Sequence, residues 1–205
     1  MSKVKLTILY YSSTGTNYRM ARAAEEAAKE AGAEVRLIRA AELAPAAAIE
    51  SNPVWNSHLK ETAEVPIATL DDIGWADAVI ISTPTRFGNV AAQLKQFLDT
   101  TGALWAKGKL ENKVVSAMTS ASNVHGGQEA TILSLYTSLY HWGAIVVAPG
   151  YTDSSVVLAG GNPYGTSLTT DMSGNFDVNG LSAVKHQARR VIFVAEALQK
   201  GWGIC

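Results

Sequence analysis

The sequence has almost no cysteine. The one present, Cys205, is the last residue, so no disulfide can form within the chain and no cysteine cluster can hold zinc or an iron–sulfur centre. A reducing, cytoplasmic setting is the simple expectation. Charge is sparse as well: 17 basic and 18 acidic residues give a net charge of −1, with no long run of either sign. Neither a nucleic-acid arm nor a solvating tail is suggested by that, and no basic stripe or helix-turn-helix pattern supports nucleic-acid binding. The opening residues, MSKVKLTILYYSS, carry too short an apolar run for a secretory signal and no small-residue cleavage pattern. One longer stretch, 130–152, lacks charged side chains and is long enough to span a bilayer. It holds Ser134, Tyr136, Thr137, Ser138, Tyr140, His141, Gly143 and Pro149 and has no basic flanks. It therefore reads as a buried helix running into a buried strand, not as a membrane span.

What is present suits one domain over 1–205, because 47% of the 205 residues are hydrophobic and can bury a sizeable core. Short runs rich in β-branched residues at 6–11, 35–38, 78–82, 114–119 and 145–148 read as strands of a sheet covered on both faces. Helical stripes lie between them. Met20, Ala23, Ala24, Ala27 and Ala31 share one face within 17–31, and similar stripes run from Val90, over 128–141, and from Leu181 to Leu198. Alternation repeated five times implies a parallel sheet with right-handed crossovers, whose ligands bind beyond the carboxyl ends of the strands. Two regions exceed this plan: a polar excursion at 44–70 with Pro45, Pro53 and Pro66, and a Gly/Asn/Ser/Thr-rich loop at 158–179. There is no internal repeat.

The loop after the first strand is Ser12, Ser13, Thr14, Gly15, Thr16 and Asn17. Hydroxyls cluster around a glycine where a helix presents unpaired N–H groups, which makes a phosphate site. Five polar side chains exceed what ordinary helix capping needs. The loop is neither G-x-x-x-x-G-K-[ST] nor G-x-G-x-x-G, so it suits one phosphomonoester rather than a triphosphate or a dinucleotide pyrophosphate. The third-strand loop carries Pro84, Thr85, Arg86, Phe87, Gly88 and Asn89, and Gly88 lets backbone approach a planar ring closely. The fourth-strand loop carries Ser120, Ala121, Ser122, Asn123, His125 and Gly126. Plainer roles stand beside these: Arg86 as a surface arginine, Phe87 and Trp105 as core, His125 as an exposed loop residue, His141 as a buried histidine satisfied by backbone.

The phosphate loop with Tyr10 and Tyr11 before it resembles that of flavodoxin-like proteins. TPTRFGN at 83–89, GGQE at 126–129, LYHWG at 139–143 and GGNPYG at 160–165 resemble WrbA-type NAD(P)H:quinone oxidoreductases, in order over nearly the whole chain. The resemblance implies a flavodoxin-like three-layer α/β sandwich, with a five-stranded parallel sheet in the order 2-1-3-4-5. It implies FMN held by the three loops, NADH or NADPH as electron donor, a quinone as acceptor, and ping-pong hydride transfer at flavin N5. It further implies a homotetramer in which His141 reaches a neighbour's flavin and Trp105 walls a neighbour's substrate cavity. One departure is Thr14, where the family often has an aromatic residue linked to nicotinamide binding; Thr14 cannot stack. Two other readings are a one-electron flavodoxin carrier, which would be strongly acidic, and a non-enzymatic flavin-binding scaffold.

Overall fold

The computed structural model describes residues 2–171 and 174–202, so Cys205 lies outside the described residues. The chain runs β1 (Lys5–Tyr10), α1 (Thr16–Glu30), β2 (Glu34–Arg39), α2 (Ala46–Glu50), α3 (Pro53–Glu61), α4 (Leu70–Trp75) and β3 (Ala78–Pro84). Then come α5 (Ala92–Asp99), α6 (Gly102–Trp105), β4 (Val114–Ala121), α7 (Gln128–Tyr140), β5 (Ile145–Val146), α8 (Ser154–Leu158), β6 (Ser167–Thr169) and α9 (Leu181–Trp202). All strand pairs are parallel, in the order β2-β1-β3-β4-β5, which is the expected flavodoxin-like arrangement. Successive strand side chains point to opposite faces. Leu6, Ile8, Ile80 and Met118 pack with α1 and α9, while Leu9, Val79, Ile81 and Val115 pack with α4, α5 and α7. No helix among the described residues is long and apolar enough to cross a membrane.

The sheet has a sixth strand that the five-strand expectation lacks. β5 pairs only with Val114 and Val115 of β4, and β6 pairs with Thr119, Ser120 and Ala121 at the other end of the same strand. One edge position is thus shared by two short strands. The expected strand at 145–148 is cut short because Pro149 has no N–H to continue the ladder. Gln187 of α9 fills the gap. Its Nε2 donates to Ser116 Oγ (2.7 Å) and Ala117 O (2.8 Å), its Oε1 accepts from Thr166 N (2.8 Å), and the residue is fully buried. Gln187→Leu leaves these buried groups unpaired and should lower stability by about 2–4 kcal/mol, read from the urea unfolding midpoint.

The 44–70 excursion is also more ordered than a loop, since α2 and α3 lie within it. Asn52 caps α3, accepting from Val54 N and Trp55 N (both 3.1 Å), and Pro53 stands at the first helical turn. A proline there costs nothing, because that N–H is unpaired in any helix; read as a breaker, it hides the helix. Trp105 likewise sits in the short helix α6 rather than in a plain loop.

Candidate active site

The carboxyl ends of β1, β3 and β4 open into one cleft. It is lined by Ser12, Ser13, Thr14, Thr16, Asn17, Pro84, Thr85, Arg86, Ser120, Ala121, Ser122 and Thr170. All but Thr170 were expected from the sequence. The first-strand loop turns at Gly15, which is the N-cap of α1, has φ +93° and makes no side-chain cap. The first-turn N–H groups of α1 lack intrahelical acceptors by helix geometry and point where an anion is favoured. Ser12 Oγ accepts from Gly15 N (3.0 Å), which holds the turn.

Two loop residues line the cleft yet turn their polar atoms to protein partners. Asn17 donates to Ser82 Oγ (3.1 Å) and accepts from Ser120 Oγ (2.7 Å), tying the ends of β3 and β4 to the loop. Thr16 Oγ1 donates to Gly174 O (3.1 Å), and Arg19 donates to the same carbonyl. A Cβ on Gly174 would come within 2.9 Å of Thr14 O. Gly174 therefore packs against loop 12–17, and Thr170 N donates to Ala121 O (2.8 Å). Neither Thr170 nor Gly174 was singled out from sequence; their region showed only as excess length.

The third-strand loop makes a tight reversal. Arg86 N donates to Asn89 O (2.8 Å) and Asn89 N to Arg86 O (3.1 Å), while Phe87 (φ +53°) and Gly88 (φ +77°) are both left-handed. Two positive-φ residues between such bonds mark a type I′ turn. Phe87 is fully exposed, so it is not core. An exposed aromatic held at positive φ is strained, and such strain concentrates at ligand sites. The guanidinium of Arg86 donates to Ser13 Oγ (3.0 Å) and Thr85 O (3.1 Å), so it bridges the two loops instead of facing solvent alone.

The fourth-strand loop meets the third at two glycines. A Cβ on Gly127, which has φ +85° and starts α7, would lie 2.8 Å from Gly88 Cα. Thr85 Oγ1 lies 2.8 Å from Thr131 Oγ1 and donates to Gly126 O (3.2 Å). Asn123 turns its side chain back to accept from His125 N (3.0 Å), and His125 is exposed.

His141 and Trp105 lie elsewhere. His141 follows α7, whose other end borders the cleft; its 13 residues span about 20 Å. Trp105 Nε1 donates to His141 O (2.9 Å), and the two line a separate hollow with Leu98, Thr101 and Ser138. Trp105 is 57% exposed, which rules out plain core packing.

Behind the first loop, Glu42 gathers donors. It accepts from Tyr11 OH (3.0 Å), Trp55 Nε1 (3.2 Å), Gln93 Nε2 (2.8 Å), Leu43 N (2.8 Å) and Ala44 N (2.9 Å). Burial opposes its ionisation, but these hydrogen bonds outweigh burial and hold the carboxyl below the usual range. Burial, then the Glu42 charge, pushes the Tyr11 phenol up. A folded-state pKa below the unfolded one stabilises the fold above about pH 4.3, and this is lost as pH falls through the folded value. Glu42→Gln should therefore be less stable than the parent at pH 7, with the gap narrowing toward pH 3 in parallel thermal melts.

The model of the NADPH-dependent FMN reductase family matches residues 4–155. An NAD(P)H dehydrogenase (quinone) of Deinococcus radiodurans is 48% identical over 189 residues, covering 92% of this chain and 94% of that protein. NAD(P)H dehydrogenase (quinone) 3 of Rhizobium meliloti is 42% identical over 205 residues, covering 96% and 94%. Among solved structures, a flavodoxin, WrbA-like protein from Agrobacterium tumefaciens has a TM-score of 0.67 at 21% identity, covering 95% of this chain and 99% of that one. At that identity the structural likeness speaks for the fold alone.

Proposed function

The chain belongs to the NADPH-dependent FMN reductase family, and from that premise we propose that its cleft holds FMN and that it is an NAD(P)H:quinone oxidoreductase. The observation that carries this is the uncapped N-terminus of α1 at Gly15, ringed by the hydroxyls of Ser12, Ser13 and Thr14 and without a lysine. That donor set fits one phosphate monoester. The abutting Gly88 and Gly127 set the backbone of two loops edge to edge, which suits a flat ring. FMN held by these loops would supply the redox chemistry, carrying two electrons between NAD(P)H and a quinone.

The protein's own part is positioning. Asn17, Ser82 and Ser120 lock the loops together, Arg86 spans them, and Gly174 packs against the 12–17 loop beside the phosphate end. Phe87 and Trp105 offer exposed aromatic faces against which a quinone or nicotinamide stacks. Because Trp105 and His141 stand apart from their own chain's cleft, this reading takes the active unit to be a homotetramer in which they complete a neighbour's site.

The assay is NADH or NADPH oxidation with a benzoquinone by FMN-loaded protein. Parallel double-reciprocal lines, as for ping-pong exchange through one cavity, support the reading. Reduction that needs a separate reductase protein would instead identify a carrier.

A further inference from the structure

On the outer side of the phosphate loop, between the start of α1 and α3, lies a second cleft of about 520 Å³. That is within the size of typical small-molecule sites, roughly 300–1,000 Å³. Its walls are mostly apolar, from the Tyr18 ring, Pro53, Val54 and the His58 imidazole, with Arg19, Ser57 and Glu61 as the polar side chains of α1 and α3. The cleft exists because the 44–70 excursion lays α3 against the loop. His58 Nδ1 lies 3.5 Å from where a Cβ on Gly15 would stand, so the imidazole packs directly over the loop glycine. The Tyr18 and His58 rings are 5.6 Å apart. Burial first, and Arg19 and Arg39 after it, hold His58 below its ordinary pKa against the pull of Glu61, so at neutral pH its ring is an uncharged wall. Arg19 is aligned by the Gly174 carbonyl and by the Phe176 ring, 4.3 Å away. Thr14 lines both this cleft and the candidate flavin cleft, so one extended molecule lying across Thr14 reaches both.

We propose that this second cleft receives the adenylate half of the nicotinamide dinucleotide, with the nicotinamide in the flavin cleft. The inference rests on the donor assigned under Proposed function. Adenine is flat and aromatic, which matches walls of Tyr18, His58, Pro53 and Val54. The pyrophosphate joining the two halves is anionic, and it passes Arg19 and the positive end of α1.

The test uses FMN-loaded protein and two probes. ADP-ribose, titrated by calorimetry, should bind the parent protein and bind Ser57→Trp about tenfold more weakly, because the indole fills the cleft from the exposed face of α3. The same change should raise KM for NADH or NADPH by about tenfold while leaving KM for reduced nicotinamide mononucleotide, which lacks the adenylate, as it was. Val54→Trp, entering the cleft from another position, should repeat the pattern and guards against misfolding of the first variant. Failure of ADP-ribose to bind the parent, equal binding to parent and variants, or equal loss with both donors overturns the assignment. If no nicotinamide donor reduces a quinone even with the parent, the proposed function fails, and the ADP-ribose titration still decides the cleft.

Discussion

Gly127→Val should cost the protein its tight grip on FMN, weakening it by at least tenfold, and lower its stability by about 2–4 kcal/mol. Two effects combine. A side chain at φ +85° is strained by about 1–2 kcal/mol. A Cβ there would also stand 2.8 Å from Gly88 Cα, against backbone that has nowhere to yield without moving the ring loop. Gly32→Ala supplies the control. Gly32 has φ +91° but nothing within 4 Å of its would-be Cβ, so it bears the strain without the clash. Fluorescence titration of apo protein with FMN should show Gly32→Ala binding like the parent. Equal FMN loss in both variants would mean that overall destabilisation, not the loop contact, is responsible.

Trp105→Ala should raise the quinone KM by about tenfold and leave FMN affinity within about twofold. Trp105 is exposed and fixed by its bond to the His141 carbonyl, yet it lines no part of its own chain's flavin cleft. In the proposed homotetramer its effect on catalysis crosses a subunit boundary. Light scattering belongs with the kinetics: full turnover by a monomer at micromolar concentration would remove the basis of the prediction.

Much of the fold was legible because its strands are covered on both faces. Ala78, Val79, Ile80 and Ile81 are all apolar and buried, and such a run stands out. The cleft was legible for a different reason: an open parallel sheet gathers its loops at one edge, so Ser12, Thr85 and Ser120 come together although far apart in sequence. What escaped were features that depend on tertiary partners. Gln187 looks like one polar position on an amphipathic helix, and only the shared edge of β4 gives it a role. Pro53 has opposite meanings at the start and in the middle of a helix, and α3 was missed for that reason. Glu42 and Gly174 act through groups distant in sequence, and no local pattern marks them. Thr16 and Asn17 were placed correctly at the loop, but their side chains serve the protein's own architecture.

Whether loop 12–17 holds the phosphate of FMN is decided by titration. Apo protein and the double variant Ser12→Ala, Ser13→Ala should each be titrated with FMN and with riboflavin, which lacks the phosphate. The prediction is that the parent prefers FMN and that the double variant loses about tenfold or more in FMN affinity while riboflavin affinity stays within about twofold. Equal weakening of both ligands, or a parent protein indifferent to the phosphate, would contradict it.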